Sequence, residues 1–382
     1  MVGNGGMSGT DAAGVTGTGD ATGINATTAA PYRSLGESFL AALEALAHAP
    51  HGGWWSDVLA DPDLLLAVRD RSLNVYHRGA SLFRITLAGA GVAAETHAKY
   101  LVRQRQALTR LGPDGGFDLD SGSAVWTRYD GPGTLAEMKR AAAALSGLEK
   151  TGLHALVQAS PNVVDVEIAL TGAASATAPV EQDEAEADAA LLAPDAETPA
   201  ASAQPRLRQD RLDVASLEER GVPSEAWLVF HEAKLAANPG LRSTTTPAIV
   251  AQVARYRASL TAQAERLAAG YPALCCDLVR LDALRRAVLT ARGLDLAALP
   301  ARDPLVAEVA SGSRRLRVDP EPRLVVFGFD ADQRDGWLRA VTEELRGRHG
   351  LRVYAVGKPG GRTAAAFRRP ADAGAAPTPD AA

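Results

Sequence analysis

The chain has 382 residues and a formal net charge of −5 at pH 7, a length that predicts two ordered units, or one unit with large additions. Its two cysteines, Cys275 and Cys276, are adjacent, which excludes a disulfide framework and a four-ligand structural zinc site. No stretch approaches the ~18 to 20 uninterrupted apolar residues that cross a bilayer. We therefore expect a cytoplasmic protein with no membrane partner.

The first segment is rich in Gly, Ala and Thr and lacks both a basic start and an apolar run. This composition is not that of a signal peptide, so we expect residues 1–33 to form a disordered leader. Residues 36–48 have helical apolar spacing, and the short apolar run in residues 61–70 suggests a second helix.

Two alternating segments, residues 72–77 and 81–88, flank a turn at Arg78 and Gly79 and predict a β-hairpin. We assign residues 34–130 to an N-terminal accessory unit of α+β type that contains this hairpin. The sequence assigns no role to this unit.

A second unit is predicted over residues 133–358. It starts with a helical stretch rich in Ala and Leu, followed by a strand at residues 163–170. Strand alternation predicts two faces for that strand. The apolar side chains share one face (Val164, Val166, Ile168 and Leu170), and Asp165 and Glu167 lie on the other.

An acidic segment follows at residues 171–205, with seven Asp or Glu residues and no Lys or Arg. It is too polar and too rich in Ala and Pro to bury a core of its own, so we interpret it as a disordered insertion between two strands. The rest of the chain then has a slightly basic balance, which is compatible with a phosphate-bearing partner. The Gly- and Ala-rich residues 359–382 are predicted to be a disordered tail.

Residues 211–235 predict a second hairpin that brings charged side chains together. A turn centred between Val222 and Pro223 places Asp213 opposite Glu232, with Cβ atoms about 4.5 to 5.5 Å apart. Lys234 lies two residues beyond Glu232 and joins the same face by strand alternation. Two carboxylates and an ammonium are therefore expected at one end of this hairpin.

Two directly opposed carboxylates repel each other, and a divalent cation between them would remove the conflict. Mg²⁺ uses few protein carboxylates and completes its shell with waters and substrate phosphate. A Mg²⁺-bound water beside a lysine is a suitable nucleophile for attack on phosphorus. The pattern predicts metal-assisted hydrolysis of a phosphodiester.

These residues resemble a known family. Asp213 within Arg-Leu-Asp, Glu232-Ala233-Lys234 at the end of an apolar strand, and Gln252 and Tyr256 on the next helix are similar to the motifs of the PD-(D/E)XK nuclease superfamily, in particular its RecB-like branch with a QxxxY signature. The resemblance covers about half of the chain.

The resemblance implies an α/β fold with a restriction-endonuclease-like core of helix, three-strand meander, helix and strand. It implies that Asp213, Glu232 and the Ala233 carbonyl bind Mg²⁺, or alternatively Mn²⁺, and that Lys234 orients the water. Gln252 and Tyr256 would support the site. The family often adds a carboxylate from the first helix; Glu149 is the nearest candidate, and Glu167 on the first strand is a second.

The resemblance implies DNA as the partner, with RNA as an alternative, and leaves homo-oligomerisation open. A different reading is a catalytically silent nuclease-fold module that binds nucleic acid or a partner protein. In a further reading, the three charged residues are a surface ion-pair cluster, and Tyr256 is simply part of an apolar helix stripe.

Overall fold

The structure is a computed structural model, and it describes residues 32–48, 53–101, 108–117, 127–170, 210–243, 245–358 and 366–368. The predicted acidic insertion, residues 1–31 of the predicted leader and most of the predicted tail lie outside these ranges. The described residues form a mixed α/β fold with two sheets, as the sequence predicts. None of their helices is both long enough and apolar enough to cross a membrane.

The first sheet is an antiparallel meander in which each strand pairs with the next one along the chain. Its strands are β1 (Leu65–Val68), β2 (Ser72–His77), β3 (Ala80–Ala88), β4 (Gly91–His97) and β5 (Leu108–Leu111). Helices α1 (Glu37–His48) and α3 (Pro132–Leu145) contact this sheet, and α2 (Gly53–Ala60) contacts both helices.

The predicted hairpin in this sheet is confirmed as β2 and β3. Its turn uses positive φ angles of 52° at Arg78 and 79° at Gly79, as tight hairpin turns require. The helix predicted over residues 61–70 is wrong, because Leu65–Val68 instead pairs with β2 as a strand. A run of this length has too few residues for its apolar period to separate helix from strand.

The second sheet is mixed, with the order β11-β10-β8-β7-β6. Its strands are β6 (Val163–Leu170), β7 (Asp210–Glu218), β8 (Glu225–Leu235), β9 (Arg315–Val318), β10 (Arg323–Phe327) and β11 (Arg352–Gly357). Strands β6, β7 and β8 form an antiparallel meander. The first half of β8 pairs in parallel with β9 and its second half with β10, which is also parallel to β11.

Helix α4 (Leu148–Gln158) precedes this meander, and α5 (Ala248–Ala291) follows it as one helix of 44 residues. Gly270 and Pro272 lie inside this helix, which continues through both residues. A Cβ on Gly270 would lie 2.5 Å from the Tyr32 carbonyl oxygen. Glycine at this position therefore allows the backbone at Tyr32 to pack closely against α5. The remaining helices are α6 (Pro304–Ala310), α7 (Ala331–Asp335) and α8 (Trp337–Gly347).

Strand β6 departs from simple alternation. Its pairing with β7 shifts between Val163 and Asp165, and Glu167 has a φ of 53°. Val166 consequently packs with Val163 in a different hydrophobic cluster from Ile168. The predicted common face of the four apolar residues is wrong, because a bulge and a left-handed residue each break the two-residue period.

One hydrophobic cluster runs through both sheets, from Phe39 in α1 and Phe83 in β3 to Phe230 in β8 and Leu274 in α5. Buried charges cross the same boundary: Asp165 accepts hydrogen bonds from Arg33 at 2.7 Å and from Arg69 at 2.6 Å. It also accepts a hydrogen bond from the hydroxyl of Tyr271. The predicted accessory unit and the second unit therefore share a core.

Two residues assigned to unstructured ends are buried in the described structure. Arg33, in the predicted leader, is buried against Asp165. Phe367, in the predicted tail, is fully buried, and its carbonyl accepts hydrogen bonds from Asn162 and Ser216. Composition identifies segments that cannot form a core of their own. It does not show that a single residue of such a segment is buried in the adjacent folded part of the chain.

Candidate active site

The β7–β8 hairpin has the register that the sequence predicts. Val214 lies opposite His231, and the ladder runs from there toward the turn. Asp213 is the next residue on β7 and Glu232 the next on β8, so the two carboxylates lie just beyond the last pair of the ladder, and the negative charge of Asp213 acts on Glu232. Lys234 lies two residues beyond Glu232 on β8, so strand alternation places it on the same face. The sheet thus brings together the three residues on which the sequence prediction depends.

Asp213 is buried and both of its carboxylate oxygens accept a hydrogen bond. Oδ1 lies 2.9 Å from Lys150 Nζ, and Oδ2 accepts a hydrogen bond of 2.9 Å from the main-chain N–H of Ala233. Burial alone would raise the pKa of Asp213, but the positive charges of Lys150 and Lys234 and the Ala233 N–H together hold that pKa below its usual value. Asp213 is therefore ionised.

Glu232 is only 2% exposed and its two oxygens have different surroundings. Oε1 lies 2.6 Å from Lys234 Nζ and accepts a hydrogen bond from Gln252. Oε2 has no hydrogen-bond partner among the described residues. Burial, and then the negative charge of Asp213, raise the pKa of Glu232 to about 8, against the opposing effect of Lys234.

Glu149, at the start of α4, reaches the end of β8 as the sequence proposed. Its Oε1 lies 3.5 Å from Lys234 Nζ, and its Oε2 accepts hydrogen bonds from the Leu235 N–H and the Asn238 side chain. Burial lowers the pKa of Lys234, but Glu232, Asp213 and Glu149 outweigh it and raise that pKa above its ordinary value. Lys234 is therefore a fixed positive charge at neutral pH.

Glu167, on β6, lies on the other side of Asp213. Its Oε1 is 2.7 Å from Lys150 Nζ, and its Oε2 is 3.3 Å from Arg211 Nε. Lys150 therefore bridges the carboxylates of Glu167 and Asp213. Although burial lowers the pKa of Lys150, the two carboxylates raise it above its ordinary value.

Gln252 and Tyr256 connect α5 to this site. Gln252 donates hydrogen bonds to Glu232 at 2.8 Å and to the Tyr256 hydroxyl at 2.6 Å. The Tyr256 hydroxyl donates in turn to the main-chain carbonyl of Arg211 on β7, at 2.6 Å. Tyr256 is also a buried member of the larger hydrophobic cluster, so it is part of the core and also contacts the site through Gln252.

The site carries more negative than positive charge. Four carboxylates face three cationic side chains, and these residues are Glu149, Glu167, Asp213, Glu232, Lys150, Lys234 and Arg211. One negative charge is left without a partner within this set. A proton on Glu232 or a bound cation would neutralise it, which agrees with the raised pKa of Glu232.

The predicted metal ligands can be tested against this geometry. The described residues contain no group of three or more His, Cys, Asp or Glu side chains arranged to hold a metal ion, whereas the predicted set has two carboxylates and a main-chain carbonyl. Glu232 Oε2 is buried without a partner beside Asp213. Oxygen atoms are the ligands that Mg²⁺ prefers, so the donor chemistry fits a divalent cation.

Sequence reasoning missed Lys150 and Arg211. Lys150 directly follows the candidate Glu149 and is one of five lysines among 40 basic residues, so its rarity was the available signal. Arg211 lies two residues before Asp213 on β7, on the same side of the strand by alternation. Lys150 lies outside the motif that identified the other residues, and Arg211 entered that motif only as the first residue of Arg-Leu-Asp. The fold is what brings both side chains to the site.

Comparison of the chain with protein-family models, with curated proteins and with solved structures gives no match.

Proposed function

We propose that the chain is a Mg²⁺-dependent nuclease that hydrolyses phosphodiester bonds of DNA. The observation that carries the proposal is the unpartnered, buried oxygen of Glu232 next to Asp213 and Lys234. A buried carboxylate oxygen without a hydrogen bond is costly. Functional sites are where such groups and strongly shifted pKa values concentrate.

The order of elements around these residues supports the proposal. Helix α4, the meander β6–β7–β8, helix α5 and strand β10 occur in the order of the restriction-endonuclease-like core that the resemblance implies, with helix α6 and strand β9 inserted between α5 and β10. Strand β10 lies beside the half of β8 that carries Glu232 and Lys234. Strand β9, which pairs with the other half of β8, is an addition to that core.

In this proposal Asp213 and Glu232 hold the metal ion, with the Ala233 carbonyl as a further ligand. When bound, Mg²⁺ would lower the pKa of the attacking water and offset charge on the phosphoryl oxygens. Lys234 orients that water or stabilises the charge that develops. Gln252 donates a hydrogen bond to Glu232 Oε1, which would leave Oε2 available to a bound ion.

The test uses the purified chain with circular DNA, linear DNA and RNA, each with Mg²⁺, Mn²⁺ or EDTA. We expect metal-dependent cleavage of DNA by the wild type and none by Lys234→Ala. A matched control is Lys139→Ala, because Lys139 also bridges two carboxylates, Asp61 and Asp63, in contacts that involve none of the site residues. Cleavage by Lys234→Ala at the wild-type rate would eliminate this mechanism.

A second candidate is a module of the same fold that binds nucleic acid or a partner protein without cutting. The observation that favours it is the Lys150 bridge, which already compensates Asp213 and Glu167 without a metal ion. Binding of DNA with no cleavage under any metal condition would support this candidate. A third idea is a scaffold whose acidic segment or N-terminal hairpin is the working part. Retained cleavage after deletion of residues 171–205 would exclude the acidic segment from that role.

A further inference from the structure

The bridge made by Lys150 occupies one side of Asp213. On β6 and β7, Val166 pairs with Val214 and Ile168 with Leu212, so Glu167 and Asp213 face each other between these pairs. Lys150 Nζ lies 2.7 Å from Glu167 and 2.9 Å from Asp213 Oδ1. Asp213 thus has a carboxylate on each neighbouring strand, and the one on β6 is joined to it by direct contacts of both carboxylates with Lys150.

The β2–β3 turn of the first sheet packs against the aliphatic part of the Lys150 side chain. The β2–β3 turn packs so tightly there that a Cβ on Gly79 would lie 2.9 Å from Lys150 Cδ and 3.0 Å from its Cβ and Cγ. The Arg78 N–H of the same turn donates a hydrogen bond to His154 Nδ1, one helical turn beyond Lys150 on α4. Lys150 is therefore held in place from outside as well as by its two carboxylates.

We propose that Lys150 is a positioning residue that serves as a built-in cation between Glu167 and Asp213, so that the site accepts one divalent ion and not two. This inference rests on the proposed function. Two-metal sites hold their ions about 3.5 to 4 Å apart, and here a second ion would need Asp213 Oδ1 and Glu167 Oε1. Both atoms are in contact with the ammonium of Lys150, which would also repel that ion.

The test counts ions in the absence of nucleic acid. Purified full-length chain is titrated with Mn²⁺ by calorimetry, and its electron paramagnetic resonance spectrum reports whether two bound ions are spin-coupled. We expect one Mn²⁺ per chain for the wild type and two coupled ions for Lys150→Ala. Lys150→Arg, which keeps the charge, and the control Lys139→Ala are expected to bind one.

Two outcomes overturn the inference while leaving the proposed function in place: two ions in the wild type, or one ion in folded Lys150→Ala. Absence of Mn²⁺ binding by the wild type overturns both. Since Lys150→Ala leaves Glu167 and Asp213 facing each other, circular dichroism checks its fold. If it is unfolded, Lys150→Gln replaces it, because the amide still donates hydrogen bonds but carries no charge. A single bound ion in Lys150→Gln would equally overturn the inference.

Discussion

The side-chain amide of Gln252 donates a hydrogen bond of 2.8 Å to Glu232 Oε1. Lys234 contacts the same oxygen, so both polar neighbours of Glu232 on this side act on one atom. The other oxygen, Oε2, is left without a partner among the described residues. This division of donors orients the carboxylate. It also makes the ionised form of Glu232 costly, and either a cation at Oε2 or protonation of the carboxylate would remove that cost.

The first prediction concerns pH. Because the pKa of Glu232 rises from 4.5 to about 8 on folding, the folded chain retains a proton that the unfolded chain loses. The contribution of Glu232 to the free energy of unfolding must therefore fall as pH rises from about 4.5 to 8, by several kcal/mol at about 1.4 kcal/mol per pKa unit. Glu232→Gln removes this dependence.

The measurement is urea unfolding of the wild type and Glu232→Gln in EDTA, at pH 6 and at pH 9. We expect the variant to gain stability relative to the wild type between these two values. Added Mg²⁺ should reduce the difference at pH 9, because it replaces the proton. A constant difference at both pH values would show that Glu232 is ionised throughout.

The second prediction is that Asp213→Asn destabilises the metal-free protein at pH 6. At that pH Glu232 is protonated, so little repulsion is relieved, whereas Lys150 loses a charged partner at 2.9 Å. We expect a loss of about 1.5 to 3 kcal/mol, the range for hydrogen bonds to charged groups. Thermal or urea unfolding in EDTA gives the value.

The same variant tests the metal site. Mg²⁺ that binds only the folded state raises the melting temperature of the wild type at pH 8. For Asp213→Asn we expect most of that increase to disappear. An equal increase in both proteins would place the metal ion away from Asp213.

The third prediction concerns the buried charges that join the two sheets. Asp165→Asn leaves the guanidinium groups of Arg33 and Arg69 without their shared carboxylate, although all three side chains are almost fully buried. We expect a loss of about 3 to 5 kcal/mol in the free energy of unfolding. Glu344→Gln, which breaks an exposed pair with Arg348, is the control and should leave stability unchanged.

The fourth prediction uses two glycines in turns of the first sheet. Gly79 and Gly89 both have positive φ, at 79° and 59°, so an alanine at either position costs about 1 to 2 kcal/mol. A Cβ on Gly89 meets no atom within 4 Å, whereas one on Gly79 collides with Lys150. We therefore expect Gly79→Ala alone to alter Mn²⁺ binding.

Both proteins are compared by thermal unfolding and by Mn²⁺ titration. A loss of stability in both variants with a change of Mn²⁺ affinity in Gly79→Ala only is the expected pattern. Identical Mn²⁺ titrations would show that the β2–β3 turn does not position Lys150.

The position of the turn, centred between Val222 and Pro223, was enough to predict the β7–β8 register, because the turn of a hairpin fixes which residues of its two strands lie opposite each other. The prediction that Asp213, Glu232 and Lys234 lie together followed from that register alone. The position of Glu149 depends on how α4 packs against the sheet. No periodicity in the sequence predicts that packing, and Glu149 was a candidate only through the family resemblance.

Other features depend on contacts that no local pattern records. The bulge in β6 and the left-handed Glu167 are breaks in an otherwise regular alternation, and only the paired strand reveals them. The expected repulsion at Asp213 is reduced by Lys150, which comes from a different element. A short run such as Leu65–Val68 became a strand because β2 was available to pair with it.

One hydrophobic core continues from the first sheet into the second. The second unit therefore depends on the accessory unit for its folded structure. A fragment cut near residue 130 would leave Asp165 without Arg33 and Arg69, and it would remove the turn at Gly79 that covers Lys150. Arg285 would also lose the carbonyls of Leu59 and Asp61 to which it donates. We expect the two halves to melt in a single cooperative transition, so truncation is not a route to a minimal version of this protein.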